Sequence, residues 1–184
     1  MRTDALRPLA GRRLLIGVSG SIAAVKTPLL VSALVKAGAE VRCVVTPSAE
    51  KLVSPLALAS LSRHRCYENG DGWDSSCSRP LHIELAEWAE LVVVAPLSAS
   101  SLSRWSHGSA DGLLASVLLA CECPVLVAAA MNTAMWNHPA VQDNWERVKH
   151  FPQVVPLEPA AGLLACDRLG DGRMADPQMI ELAA

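Results

Sequence analysis

Apolar residues in this chain fall in short unbroken runs separated by polar punctuation. Arg13-Leu14-Leu15-Ile16-Gly17-Val18 is the first, and Glu40-Val41-Arg42-Cys43-Val44-Val45 is the second. Leu91-Val92-Val93-Val94-Ala95 and Pro124-Val125-Leu126-Val127-Ala128-Ala129 follow, with a weaker Gln153-Val154-Val155-Pro156-Leu157. Continuous rather than alternating apolar character marks strands buried on both faces, as in a parallel sheet. Between the runs the period changes. Ile22, Val25, Leu29, Ala33 and Leu34 recur at helical spacing, and Ala37-Gly38 closes the segment. Helical stretches are also predicted over Asp111 to Cys121 and over Thr133 to His150. Strands alternating with helices predict right-handed crossovers and an open α/β, Rossmann-like parallel sheet with helices on both faces. No internal repeat or linker interrupts the pattern, so residues 1–184 are expected to form a single domain. Glu68 to Arg79 is rich in Gly, Asp and Ser and has no period, which predicts a surface loop just before His82.

Composition narrows the class. Ala, Leu and Val fill a chain in which aromatics make up only 4%, as suits helices packed closely on a sheet. A net charge of −2 gives no electrostatic case for nucleic acid or an anionic membrane. The longest apolar run, Leu113 to Ala120, is too short to span a bilayer, and Met1 to Gly11 has no apolar segment of a signal peptide. Cys43, Cys66, Cys77, Cys121, Cys123 and Cys166 do not have the setting of a secreted disulfide framework, so reduced thiols and a cytoplasmic location are expected. Cys121-Glu122-Cys123 lacks a second cysteine or histidine pair at zinc spacing, and no metal is expected.

In open α/β sheets ligands bind beyond the carboxyl ends of the strands. Three hydroxyl-bearing turns follow such ends here. Gly17-Val18-Ser19-Gly20-Ser21-Ile22 joins the first strand to the first helix and offers backbone N–H groups at a helix start, a geometry that suits phosphate. It is equally a tight turn with Ser21 as N-cap. Thr46-Pro47-Ser48-Ala49 and Pro96-Leu97-Ser98-Ala99-Ser100-Ser101 are the others. No Walker lysine pattern is present, and no acidic residue stands where a dinucleotide ribose would need one. Phosphate joined to an uncharged flat ring, as in FMN, fits these turns better than NAD or ATP.

A thiol, an imidazole and an amide occupy distinctive settings: Cys166 in Ala165-Cys166-Asp167-Arg168-Leu169-Gly170-Asp171-Gly172-Arg173-Met174, His82 in His82-Ile83-Glu84-Leu85, and Asn132 in Ala130-Met131-Asn132-Thr133-Ala134-Met135-Trp136. Singly these read as a core cysteine, a helix-start histidine and a turn asparagine. Together they suggest a reaction site.

Those motifs, with Gly-Ser-Ile-Ala-Ala at 20–24, Trp88-Ala89 and Pro-x-Ser-Ala at 96–99, resemble the homo-oligomeric flavin-containing cysteine decarboxylases. The resemblance runs from about Gly11 to Asp176. Ser100-Ser101 stand where the family commonly has Asn-Thr, Ala129 replaces a proline, and Asp167-Arg168 replaces a Gly-Asp pair. The resemblance implies a Rossmann-like flavoprotein fold that binds FMN through Gly20, Ser21, Ile22, Thr46, Ser48, Ser98, Ala99, Ser100, Ser101 and Ala130. It implies decarboxylation of 4′-phosphopantothenoylcysteine to 4′-phosphopantetheine, on the route to coenzyme A. In that chemistry the substrate thiol is oxidised to a thioaldehyde, CO2 leaves to give an ene-thiolate, and hydride and proton are then returned. His82 would serve in acid–base chemistry, Asn132 would hold the substrate carboxylate or amide, and Met135 would pack the pocket wall. Cys166 would deliver the final proton, which members that stop at the ene-thiol do without. Lys26, Arg168 and Arg173 are candidates for the substrate phosphate. A trimer or a multiple of trimers is implied, with the site shared between subunits; the phosphopantothenoylcysteine synthetase of the route is either a separate chain or a further part of a longer one. Three other activities share parts of the pattern: a peptidyl-cysteine decarboxylase, a flavin prenyltransferase, and a non-catalytic flavoprotein subunit.

Overall fold

The computed structural model describes residues 7–163 and 169–184. Six parallel strands form one sheet: β1 (Arg13–Val18), β2 (Glu40–Val45), β3 (Cys66–Tyr67), β4 (Leu91–Leu97), β5 (Val125–Ala129) and β6 (Val154–Leu157), in the order β3-β2-β1-β4-β5-β6. The order reverses between β1 and β4, which pair from Leu14↔Leu91 to Gly17↔Val94. Such a reversal opens a crevice at the carboxyl ends of the two central strands. The apolar runs placed β1 and β2 to the residue. β4 extends past the expected Ala95 through a cis Ala95–Pro96 bond to Leu97, with an irregularity in its pairing to β5.

Among the described residues eight α-helices accompany the sheet: α1 (Thr27–Lys36), α2 (Pro55–Ser62), α3 (Leu81–Trp88), α4 (Ala99–Ser106), α5 (Leu113–Ala120), α6 (Thr133–Trp136), α7 (Pro139–Lys149) and α8 (Pro177–Ala183). Successive strand residues alternate between two cores. Leu14, Ile16 and Val18 of β1, with Val93 and Ala95 of β4, pack on one side beneath Leu30, Leu34, Leu58 and Ile180 of α1, α2 and α8. Leu15, Val92 and Val94 pack on the other, beneath α3, α4, α5 and α7. There Trp136 and Trp145 meet edge to face at 5.4 Å between ring centroids, and Trp105 meets Phe151 at 5.8 Å.

Three helical expectations change. The first helical segment opens as a 3-10 turn over Ile22–Lys26 and becomes α-helical only at Thr27, with Pro28 in its first turn. The stretch from Thr133 to His150 is two helices. Pro139 cannot continue a helix from α6, so it starts α7 instead, with His138 as N-cap. The Glu68 to Arg79 loop contains a 3-10 turn, Asn69–Trp73, whose Asp71 carboxylate accepts the N–H of Glu68 at 2.8 Å. β3, α2 and α4 had no counterpart in the hydrophobic pattern, nor had the antiparallel hairpin of β7 (Ala160–Leu163) and β8 (Leu169–Arg173).

Candidate functional site

Two buried hydroxyls fix the crevice at the strand reversal. Ser19, just beyond β1, donates to the carbonyl of Pro96 at 2.8 Å and accepts the N–H of Ser98 at 2.7 Å. Thr27 donates to the carbonyl of Ala95 at 2.9 Å. The turns after β1 and β4 are thereby tied to each other and to the first helix. Sequence reasoning passed over both residues, because only the tertiary pairing of β1 with β4 gives their hydroxyls partners.

Each turn ends in a capped helix start. Ser21 accepts the N–H of Ala23, and Ser98 caps α4 by accepting the N–H of Ser101. Gly20 lies so close to Ser48 that a Cβ built on it would sit 2.4 Å from the Ser48 Cβ. Asn132 caps α6, its Oδ1 accepting the N–H of Ala134 at 2.8 Å. The hairpin closes over this segment: Met131 donates its N–H to the Gly172 carbonyl at 2.9 Å, and Thr133 donates its hydroxyl to the Asp171 carbonyl at 2.7 Å. Gly172 adopts φ +114°, and a Cβ there would stand 2.4 Å from the Met131 carbonyl oxygen. Glycine is therefore required twice over at that position.

The result is a cavity of about 450 Å³ beyond the carboxyl ends of β1, β4 and β5. Gly20, Ser21, Ile22, Ser98, Ala99, Ser100 and Ala130 line it, together with Asn132 and Met135. Three residues not singled out beforehand, Val25, Met131 and Met174, add apolar wall. Lys26 and Arg173 also line it, both turned to one carboxylate: Asp176 Oδ1 lies 2.8 Å from Arg173 Nη2 and 3.8 Å from Lys26 Nζ. Small residues and hydroxyls at two helix starts face an apolar wall across the cavity. That donor set suits a phosphorylated flat ring, since phosphate favours helix N-termini and a ring favours apolar sides.

The other expected residues lie apart. Thr46 and Ser101 line a smaller cavity of about 130 Å³ with Asn69, Arg104 and Asp111. Ser48 supports Gly20 from beneath. His82, second residue of α3, lines a separate cavity of about 470 Å³ with Asp71, Asp74, Cys77 and Arg79. Within one chain, His82 and Asn132 thus belong to different cavities. Cys166 and Arg168 fall between β7 and β8 and lie outside the described residues. No group of three or more potential metal ligands is found among the described residues, and no described helix is long and apolar enough to cross a membrane.

Comparison with known proteins gives a consistent set of relatives. A family model described as Flavoprotein matches residues 3–182. The chain is 41% identical over 172 residues to the coenzyme A biosynthesis bifunctional protein CoaBC of Bacillus subtilis (strain 168), covering 94% of this chain and 42% of that protein. It therefore spans less than half the length of this curated relative. Among solved structures, a cysteine-to-serine mutant of PPC decarboxylase complexed with pantothenoylaminoethenethiol superposes with a TM-score of 0.87 at 34% identity, covering 94% of this chain and 96% of that one. The FMN binding protein AtHal3 superposes with a TM-score of 0.84 at 35% identity, covering 94% of both chains.

Proposed function

The chain belongs to the Flavoprotein family, and on that premise we propose that it is an FMN-dependent decarboxylase converting 4′-phosphopantothenoylcysteine to 4′-phosphopantetheine in coenzyme A biosynthesis. The observation that carries the reading is the cavity at the strand reversal, where serine-capped helix starts, an apolar wall, Asn132 and two cations face one space. Its relatives act in the same direction: one is a bifunctional protein of coenzyme A biosynthesis, and another is a PPC decarboxylase.

In this reading Gly20, Ser21, Ser98 and Ser100 hold the FMN phosphate, while Ile22, Met131 and Met174 flank the ring. Bound FMN supplies a two-electron acceptor for the substrate thiol. The protein's part is to position and to move protons. Asn132, which caps α6 through its Oδ1 and lines the cavity, holds the substrate carboxylate or amide. Lys26 and Arg173 take the substrate phosphate, exchanging their shared hold on Asp176 for a doubly charged ligand. Met135 packs beside the substrate. His82 acts as acid–base group near the thiol or carboxylate, and Cys166 donates the last proton to carbon.

A closed cyclic assembly, a trimer or a multiple of trimers, reconciles His82 with this cavity. One chain holds the imidazole and the amide in separate cavities. Ile22, Val25 and Leu29 are 55%, 54% and 67% exposed beside the cavity, an apolar surface suited to a neighbouring subunit.

The cofactor is tested directly. Purified protein is expected to be yellow and to release FMN, not FAD, on denaturation. A colourless protein that fails to take up added FMN contradicts the reading.

A further inference from the structure

At the amino end of β5, opposite the cavity, two thiols touch. Cys121 ends α5 as its C-cap, and Cys123 stands just before β5. Their sulfurs are 3.2 Å apart, closer than a non-bonded contact and within reach of an S–H···S hydrogen bond. The carbonyl oxygen of Cys123 also lies 3.5 Å from the Cys121 sulfur. The two differ in access: Cys121 is buried in the helical core, whereas Cys123 is partly open to solvent.

They differ in charge as well. The hydrogen bond from Cys121 lowers the pKa of Cys123, with the backbone N–H groups of Cys123 and Val92 adding to the effect against the opposing pull of burial. The same bond, then burial, raises the pKa of Cys121. The proton stays on the shielded sulfur and the accessible sulfur is the better thiolate. Reactive cysteines have that profile, and inert ones do not. Cys43 and Cys66 supply the contrast within one chain. They are neighbours on β2 and β3, both are buried, and burial raises both pKa values, that of Cys66 to about 12.

A metal is a poor occupant, because no third ligand joins the pair among the described residues. A disulfide needs only two sulfurs. We propose that Cys121 and Cys123 form a redox-active dithiol that closes to an intrachain disulfide when the protein meets a hydroperoxide. The Cys123 thiolate attacks one peroxide oxygen, the O–O bond breaks, and the departing hydroxide takes up a proton as water. The Cys121 sulfur, losing its proton, then attacks the resulting sulfenic sulfur and expels the second water. Two thiols and one hydrogen peroxide give one disulfide and two waters. The sulfurs must approach from 3.2 Å to a bonded separation of about 2.05 Å, a movement of side-chain scale.

Trypsin isolates the pair. Between Arg104 and Arg147 there is no other lysine or arginine, so residues 105–147 form one peptide, and it contains Cys121 and Cys123 and no other cysteine. The purified protein is treated with hydrogen peroxide at neutral pH, blocked with N-ethylmaleimide, digested and weighed. The expected peptide is two hydrogens lighter than the dithiol, carries no maleimide, and takes up two maleimides after reduction with dithiothreitol. Without peroxide, Cys123 is expected to react with limiting maleimide at least roughly tenfold faster than Cys66, and more slowly as the pH is lowered. Two maleimides on the peptide after peroxide treatment, or oxygen added to Cys123 without closure, would overturn the proposal.

Discussion

Asn132 has two jobs that a single substitution separates. Its Oδ1 caps α6, and its side-chain amide contacts the substrate in the proposed reaction. Asn132→Asp keeps the cap but replaces the donor with a negative charge beside the substrate carboxylate. Thermal stability is expected to change by less than about 1 kcal/mol, within the range of a retained cap, while turnover falls by roughly a hundredfold or more. Retention of near-normal kcat/KM would remove Asn132 from the site. Lys26 and Arg173 call for a comparison of substrates. Replacing either with Ala should raise KM for phosphopantothenoylcysteine roughly tenfold or more, the scale of one charge-assisted hydrogen bond, with kcat little altered. The same variants should treat unphosphorylated pantothenoylcysteine as the wild type does. An equal loss on both substrates would assign these cations to something other than the phosphate. For His82→Asn the expected outcome is FMN still bound and CO2 release lost, read from flavin absorbance and a CO2 assay on the same sample. Near-normal turnover would return His82 to the role of an ordinary helix-start residue.

Between elements, the crevice depends on the ties from β1 to β4. Ser19→Ala would leave the buried Ser98 N–H and the Pro96 carbonyl each without the hydroxyl that now bridges them. A loss of about 1–3 kcal/mol in denaturant unfolding is expected, together with weaker FMN retention, because the Ser98 cap moves with that turn. Unchanged stability would mean that the bridge contributes nothing net. These ties also mark the limit of what the sequence revealed. β1, β2, β4 and β5 were legible because strands buried on both faces are dominated by apolar residues, with charges only at Arg13, Glu40 and Arg42. The break at Pro139 was legible in chemistry but was passed over in favour of the apolar period. β3 is two residues long, and α4 is so rich in serine that it reads as a turn; its buried face consists of little more than Leu102, Trp105 and Ser106. The hairpin strands, Ala-Ala-Gly-Leu and Leu-Gly-Asp-Gly-Arg, are short and have no period, and their partner, the Met131 to Thr133 segment, is set by tertiary contact alone.

For the molecule as a whole, Ser21, Ser98, Ala130 and Asn132 share one cavity, whereas Thr46 and Ser101 line another. The order of motifs along a chain does not say whether His82 faces this cavity, and the two lie apart within one chain. Light scattering of the purified protein is expected to give a trimer or a multiple of it, and an active monodisperse monomer would contradict the shared site. The central claim is tested by the mass of the product. Incubated with 4′-phosphopantothenoylcysteine, the wild type should lose CO2 from the substrate and yield 4′-phosphopantetheine with its flavin returned to the oxidised form. Cys166→Ser should decarboxylate but stall at an ene-thiol two hydrogens lighter, with the flavin absorbance bleached, because a serine hydroxyl is too weak an acid to replace the thiol. A wild type that yields only the ene-thiol, or that leaves the substrate unchanged while holding FMN, would contradict the account.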